Sequence, residues 1–312
     1  MQMDLFNNEK INARPFLKWV GGKTQIIEEI ESILPDFIIE NRKIKSYFEP
    51  FLGGGAIFFY LASNYKIKEA FLYDINKELI LTYNVIKNDH NELINHLLNL
   101  QNKFLPKDHK ERKEYYLSIR KKFNHDLENF SFDDYTKKHI IRASYTVFLN
   151  KTCFNGLFRL NKKGEFNVPM GDYKNPNICD EKNIKNVSRV LKIASIFNKS
   201  FIESEKLIDR DSLVYLDPPY RPLNKSSNFT SYSENEFNDN DQIELAHYFN
   251  RISKKGAFCI LSNSDPKNED ENDNFFDDLY SKHYILRIKA KRLINRDAKK
   301  RGAINEILVK NY

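Results

Sequence analysis

Residues 46–62 read SYFEPFLGGGAIFFYLA. The run up to Glu49 is apolar and β-favouring, the run from Ala56 is apolar and helix-compatible, and Gly53, Gly54 and Gly55 stand between them. A strand that turns through glycine into a helix is the repeating joint of a doubly wound α/β sheet. A second run, EAFLYDIN (residues 69–76), predicts a strand ending at Asp74. Asp74 follows Gly53 at close to the spacing, about 20 residues, at which an acid meets a ribose in such folds. The dinucleotide fingerprint asks for a third glycine where this chain has Phe58, so the loop alone reads equally well as a structural turn.

A third strand is predicted in SLVYLDPPY, residues 212–220. With proline near 5% of residues, DPPY arises by chance in on the order of one chain per thousand of this length. The prolines end the strand and restrict its backbone. Asp217, the Pro218 carbonyl and the Tyr220 ring are thereby held together at the carboxyl edge of the sheet, where doubly wound folds bind ligands. Near the N-terminus, PFLKWVGGKTQIIEEI (residues 15–30) carries the tail of a phosphate loop in Gly21-Gly22-Lys23-Thr24. Leu17 occupies the position of that loop's first glycine, which argues against a triphosphate. Ile27, Ile30 and Leu34 predict a helix opened by the glycine turn, with Lys23 at its N-terminus, where an anion is favoured.

The chain has 312 residues, 41% hydrophobic and 13% aromatic, enough for one large core or a core with an inserted domain. Its formal charge is +7, and residues 282–301 hold nine Lys/Arg against one acid. This segment, with Arg292 and Lys299, reads as a phosphate-contacting surface, a solvated basic face being the alternative. Three cysteines without paired spacing point to a reducing, cytoplasmic setting and to no metal site. No apolar run is long enough to cross a bilayer. The acidic stretch at 264–275 reads as a solvated loop.

Between Asp74 and Asp217 lies more chain than one crossover helix needs. Helices are predicted at 78–98, 110–123 and 133–149. A β-hairpin then follows, LFRLN (157–161) and EFNVP (165–169) flanking a turn with Gly164 in the left-handed position. The expected organisation is 1–76 as the first part of a catalytic domain, 77–200 as an insertion, and 201–312 as the second part.

Taken in order, FLKWVGGK, FEPFLGGGA, LYDIN, NGLFRLNKKGEFNVPMGDY, YLDPPYRPL and NFTSY resemble the Dam-type DNA adenine-N6 methyltransferases, including those of restriction–modification systems. The likeness spans almost the whole chain. It implies a doubly wound S-adenosylmethionine-dependent fold with an inserted, mainly helical target-recognition domain carrying the hairpin. It assigns Trp19, Gly21, Gly22 and Lys23 to the amino-acid end of the cofactor, Gly53, Gly54 and Gly55 to its close approach, and Asp74 to its ribose, with Asp217 bordering the same site. Asp217 and the Pro218 carbonyl would accept the two hydrogens of adenine N6, Tyr220 would stack on the extruded base, and transfer would be direct and in line.

A two-stranded ribbon fits the major groove, and Arg is the commonest bidentate partner of guanine, so Arg159 is the first candidate reader. The resemblance adds Leu157 and Pro169 against a thymine methyl, Phe154 as a wedge, Asn155 at an orphaned base and Lys18 at another guanine, with GATC as the target. Simple packing of the hairpin is the alternative for Leu157, Phe154 and Pro169. Duplex DNA is the expected partner, with a cognate restriction endonuclease as a functional one, for a monomer or weak dimer. Asp172 departs from a phosphate-friendly residue after the hairpin. Rival readings are a methyltransferase acting on cytosine N4, RNA or protein, a non-catalytic DNA binder, and a phosphate-loop ATPase.

Overall fold

The computed structural model describes residues 11–312 apart from 20, 24, 126, 128–129, 222–236 and 292–302. The strands are β1 (Lys43–Glu49), β2 (Lys66–Tyr73), β3 (Ala194–Phe197), β4 (Ser212–Leu216), β5 (Phe258–Ser264), β6 (Tyr284–Lys291) and β7 (Ala303–Lys310). Among the described residues they form one sheet in the order β3-β2-β1-β4-β5-β7-β6. The first five are parallel, and β7 runs antiparallel between β5 and β6. Strand β4 is buried along its whole length. Its alternate side chains enter two different cores, Leu213 and Tyr215 one, Val214 and Leu216 the other. A parallel strand covered on both faces requires this unbroken apolar run.

The helices are α1 (Ile27–Ser32), α2 (Asp36–Asn41), α3 (Ala56–Asn64), α4 (Lys77–Phe104), α5 (His109–His125), α6 (Lys137–Thr152), α7 (Glu181–Leu191), α8 (Asp239–Lys254) and α9 (Phe275–Leu279). Helix α3 starts where Gly55 takes φ 68°, and a Cβ there would stand 2.6 Å from the Tyr83 hydroxyl, so glycine is required. The helices expected at 78–98, 110–123 and 133–149 are present as α4, α5 and α6. Helix α6 begins later than expected because Ser131 first closes a turn onto the Asp133 and Asp134 amides, and Thr136 then caps the helix reciprocally with His139.

Three expectations change. Helix α1 begins at Ile27 rather than at the glycine turn, so Lys23 does not stand at a helix N-terminus. Strand β3, inside the span assigned to the insertion, pairs in parallel with β2 and belongs to the sheet. The flanks expected to form a hairpin carry one isolated bridge, Leu160 with Phe166, closed by the Asn161 amide on the Glu165 carbonyl and the Asn167 amide on the Arg159 carbonyl; beyond them Cys153 bridges Met170, and no extended ladder forms among the described residues. Gly164 does take the left-handed turn, at φ 75°. The backbone groups of Phe166 and Val168 point away from the first flank, and side chains of α5 take them up. Asn124 bonds the N–H and the carbonyl of Phe166, while Tyr116 and Arg120 donate to the carbonyl of Val168.

Candidate active site

Strands β1 and β4 are neighbours at the point where the strand order reverses, so the chain leaves their carboxyl ends in opposite directions and opens a crevice. Asp217 stands at the end of β4. Its Oδ1 accepts from Lys23 Nζ at 2.9 Å and from Ser262 Oγ at 3.0 Å. Burial pushes this carboxyl up from its ordinary range, and the charge and hydrogen bonds of Lys23 and Ser262 pull against it. The Lys23 ammonium also donates to the Gly21 carbonyl and lies 4.1 Å from the centre of the Tyr220 ring. The sequence placed these three residues at one site, but it did not show that Lys23 and Asp217 form an ion pair.

The DPPY turn is braced from behind. Gln242 of α8 donates to the Pro219 carbonyl at 3.1 Å and accepts from Asn263 at 3.0 Å. Asn263 in turn accepts from the Arg221 amide, and Ser264 donates to the Arg221 carbonyl. The Arg221 guanidinium is held by Asp239 at 2.8 Å and by Asp273 at 2.7 Å. Stretch 264–275 is therefore more than a solvated loop: Asp273 anchors the residue after DPPY, and the fully buried Asp265 takes Arg287 of β6 at 3.0 Å. Composition showed its charge but not its counter-ions.

On the other side of the crevice, Asp74 joins two turns. Its Oδ2 accepts from the Gly53 amide at 2.9 Å and its Oδ1 from the Asn76 amide at 2.8 Å. Ile75 beside it is 63% exposed. Trp19 occupies the space that side chains at Gly53 and Gly54 would take: a Cβ at Gly53 would stand 3.0 Å from its indole and one at Gly54 3.3 Å from its Cβ. Trp19 also stacks on Phe158 at 5.5 Å, joining the glycine loop to the segment of the candidate DNA contacts.

Those contacts lie close together. The Lys18 backbone is clamped by both ends of the Asn150 amide, and its ammonium bonds the Tyr173 hydroxyl. Its aliphatic stem leaves no room for a side chain at Gly156. Phe154 is 53% exposed and donates its amide to the Pro169 carbonyl. Asn155 is exposed at a left-handed φ of 56°. Leu157 packs partly against the core. Arg159 donates through Nε to Asn167 at 2.8 Å. Arg292, Lys299 and the NFTSY motif lie outside the described residues.

Glu49 ends β1. It is buried, accepts the Tyr47 hydroxyl at 2.7 Å, and is pushed up to about 8 by burial, with the Asp217 and Asp74 carboxylates adding to the shift. Its sequence signal is an acid at the junction of strand and glycine loop. Because the folded pKa lies above the ordinary one, the folded chain retains a proton that the unfolded chain loses. The resulting stability is complete below about pH 4.5 and is lost as pH rises through about 8. Glu49→Gln keeps an acceptor for Tyr47 and cannot ionise. It is expected to match the wild type at pH 4.5 and to exceed it by roughly 5 kcal/mol at pH 9. Urea unfolding across that range checks this, and equal pH slopes for the two proteins would refute it.

Among the described residues no cluster of three or more His, Cys, Asp or Glu could hold a metal ion, and no helix is long and apolar enough to cross a membrane. A mixed α/β sheet with an acidic, aromatic crevice at its switch point is consistent with a methyltransferase fold. The model of the D12 class N6 adenine-specific DNA methyltransferases matches residues 19–294, and the chain belongs to that family. It is 48% identical to the Type II methyltransferase M.MjaIII of Methanocaldococcus jannaschii, over 97% of this chain and 100% of that one. It is 38% identical to the Type II methyltransferase M1.LlaDCHI of Lactococcus lactis subsp. cremoris, over 99% of each. The DNA adenine methylase of Vibrio cholerae is 34% identical over 95% of each chain. The protein is an adenine-specific DNA methyltransferase.

Proposed function

We propose that this enzyme takes its methyl group from S-adenosylmethionine and delivers it to N6 of an adenine swung out of duplex DNA, within GATC. The observation that carries the reading is the crevice itself, where Asp217 and Tyr220 on one wall face the Gly53–Asp74 turn on the other. The residues present suit the donor: Ile75 and Asp74 offer an apolar surface and a carboxylate to a nucleoside, Lys23 offers an ammonium to a carboxylate, and Asp217 offers negative charge to a cation. When bound, S-adenosylmethionine supplies a methyl group on a sulfonium, suited to direct in-line transfer without a covalent enzyme intermediate.

The chain's own residues supply aim and polarity. Both described partners of Asp217 sit on Oδ1, which leaves Oδ2 to accept an N6 hydrogen, and the Pro218 carbonyl accepts the other. Two acceptors draw electron density toward a nitrogen whose lone pair is otherwise delocalised into the ring, and the partly buried site strengthens both bonds. Tyr220 gives the base a surface to stack on, offsetting the few kcal/mol of unstacking. The Lys23 ammonium lies over that ring, so it borders the same surface.

Residues 77–200, apart from β3, supply the target-recognition unit. Within it Phe154, Asn155, Leu157, Arg159 and Pro169 contact the site together with Lys18, while Arg292 and Lys299 contact phosphate. Pairing with a cognate restriction endonuclease and a monomeric or weakly dimeric state belong to the same reading. Incubation with labelled S-adenosylmethionine and unmethylated DNA, followed by nucleoside analysis and mapping of modified positions, tests it. Label in N6-methyladenine at GATC is expected; label in cytosine, or none, refutes the reading. Arg159→Ala is expected to cost about 1–3 kcal/mol at the cognate site and to relax preference at one base position. Binding to single-base variants of the site checks this, and a uniform loss would return Arg159 to a packing or phosphate role.

A further inference from the structure

The Tyr220 hydroxyl donates to Glu306 Oε2 at 2.8 Å, across 86 residues of sequence. Glu306 is not part of the DPPY turn. It stands on β7, opposite Ser264 of β5 and Ile288 of β6, in the part of the sheet that runs antiparallel. Ser262, which donates to Asp217, lies two residues before Ser264 on the same strand. The catalytic carboxylate and the tyrosine hydroxyl are therefore registered against each other through one pair of strands, β5 and β7. A tyrosine ring has two free torsions. The backbone bracing of the turn fixes the Cα, a charge-assisted bond at the far end of the ring fixes the direction of its axis, and the preference of a phenol O–H to lie in the ring plane carries that bond's direction into the plane.

We propose that Glu306 is a positioning residue, which sets the plane of the Tyr220 ring on which the target adenine lies. The inference rests on the stacking role given to Tyr220 above. Stacking is sensitive to ring orientation, and small misplacement of a reacting base carries a large rate penalty. Glu306 acts through the tyrosine and does not touch the base.

The test compares Glu306→Ala, Glu306→Gln, Tyr220→Phe and the double variant Tyr220→Phe/Glu306→Ala in single-turnover methylation of a duplex. A parallel set carries 2-aminopurine at the target position, whose fluorescence reports the stacking of the extruded base. Glu306→Ala is expected to slow methyl transfer about tenfold and to alter the 2-aminopurine signal while cofactor affinity stays unchanged. Glu306→Gln retains an oxygen acceptor and is expected within about threefold of the wild type. Tyr220→Phe should resemble Glu306→Ala, and the double variant should be no slower than either.

Independent, multiplying losses would overturn the inference, as would a Glu306→Ala enzyme with wild-type rate and fluorescence, or a Glu306→Gln enzyme no better than alanine. A wild-type enzyme that forms no N6-methyladenine would sink the parent reading and this one with it. An active wild type with uncoupled variants would sink this inference alone.

Discussion

Asp217→Ala is expected to abolish methyl transfer, lowering the single-turnover rate by about a thousandfold or more. One preorganised hydrogen-bond partner of a reacting centre is worth on the order of 100- to 1000-fold, and Asp217 is also the group on which Lys23 and Ser262 converge. Its loss therefore removes the acceptor proposed for N6 and frees the ammonium that lies against Tyr220. The same change leaves Lys23, 9% exposed at its side chain, without its counter-charge, so some loss of stability accompanies it. Asp217→Asn separates the two effects, because it keeps an oxygen for Ser262 and Lys23 but cannot supply a carboxylate to the amino group. Both variants are expected to be inactive, the asparagine form closer to wild-type stability. Rates would be measured with saturating DNA and labelled cofactor, alongside thermal melts. A folded variant within tenfold of the wild-type rate would remove Asp217 from the catalytic role.

The parts of this site that sequence made legible are the ones created by neighbouring residues. Prolines after an apolar run end β4 at Asp217, glycines before one begin α3, and Asp74 ends β2 because an acid cannot continue that buried run. Each is a local consequence of backbone sterics or solvation, and each is visible within about ten residues. Contacts that depend on strand order were not legible. The Lys23–Asp217 pair and the Tyr220–Glu306 bond exist because the N-terminal turn and β7 arrive at the end of β4, and no local pattern states that. Strand β3 is only four residues long, too short for a periodic signal. Its place in the sheet comes from its parallel pairing with β2.

The acidic stretch shows the same limit. Its charge alone reads as solvation, yet Arg221 and Arg287, supplied by distant segments, turn two of its acids into braces for the crevice and for β6. The support of the hairpin segment has a similar origin. Turn chemistry placed Gly164 correctly, but no local pattern states that Asn124, Tyr116 and Arg120 on α5 take the outward backbone groups of Phe166 and Val168. The segment that carries Phe154 to Pro169 is thus held by the helices more than by itself.

The integrity of that helical support is expected to depend on Arg142. Its guanidinium lies between α6 and α4, bonding both Glu78 oxygens through Nε at 2.8 Å and 2.9 Å, and it donates to the Phe123 carbonyl of α5 at 3.0 Å. The rings of Phe123 and Phe130 lie 4.2 Å and 4.8 Å from it, and both charged side chains are almost wholly buried. Arg142→Ala would leave the Glu78 carboxylate in an apolar site with no partner, and is expected to cost about 3–5 kcal/mol. Removing both charges is a different matter. Glu78→Leu with Arg142→Met fills the same space with apolar groups, forgoes the desolvation of two ions, and is expected to recover most of the loss. Urea unfolding of the three proteins distinguishes these outcomes. A single variant within 1 kcal/mol of the wild type, or a double variant as unstable as the single, would show that the pair does not hold α4, α5 and α6 together. Because the candidate reading residues are supported by α5 and α6, Arg142→Ala should also weaken DNA binding before the sheet unfolds, whereas the double variant should bind normally.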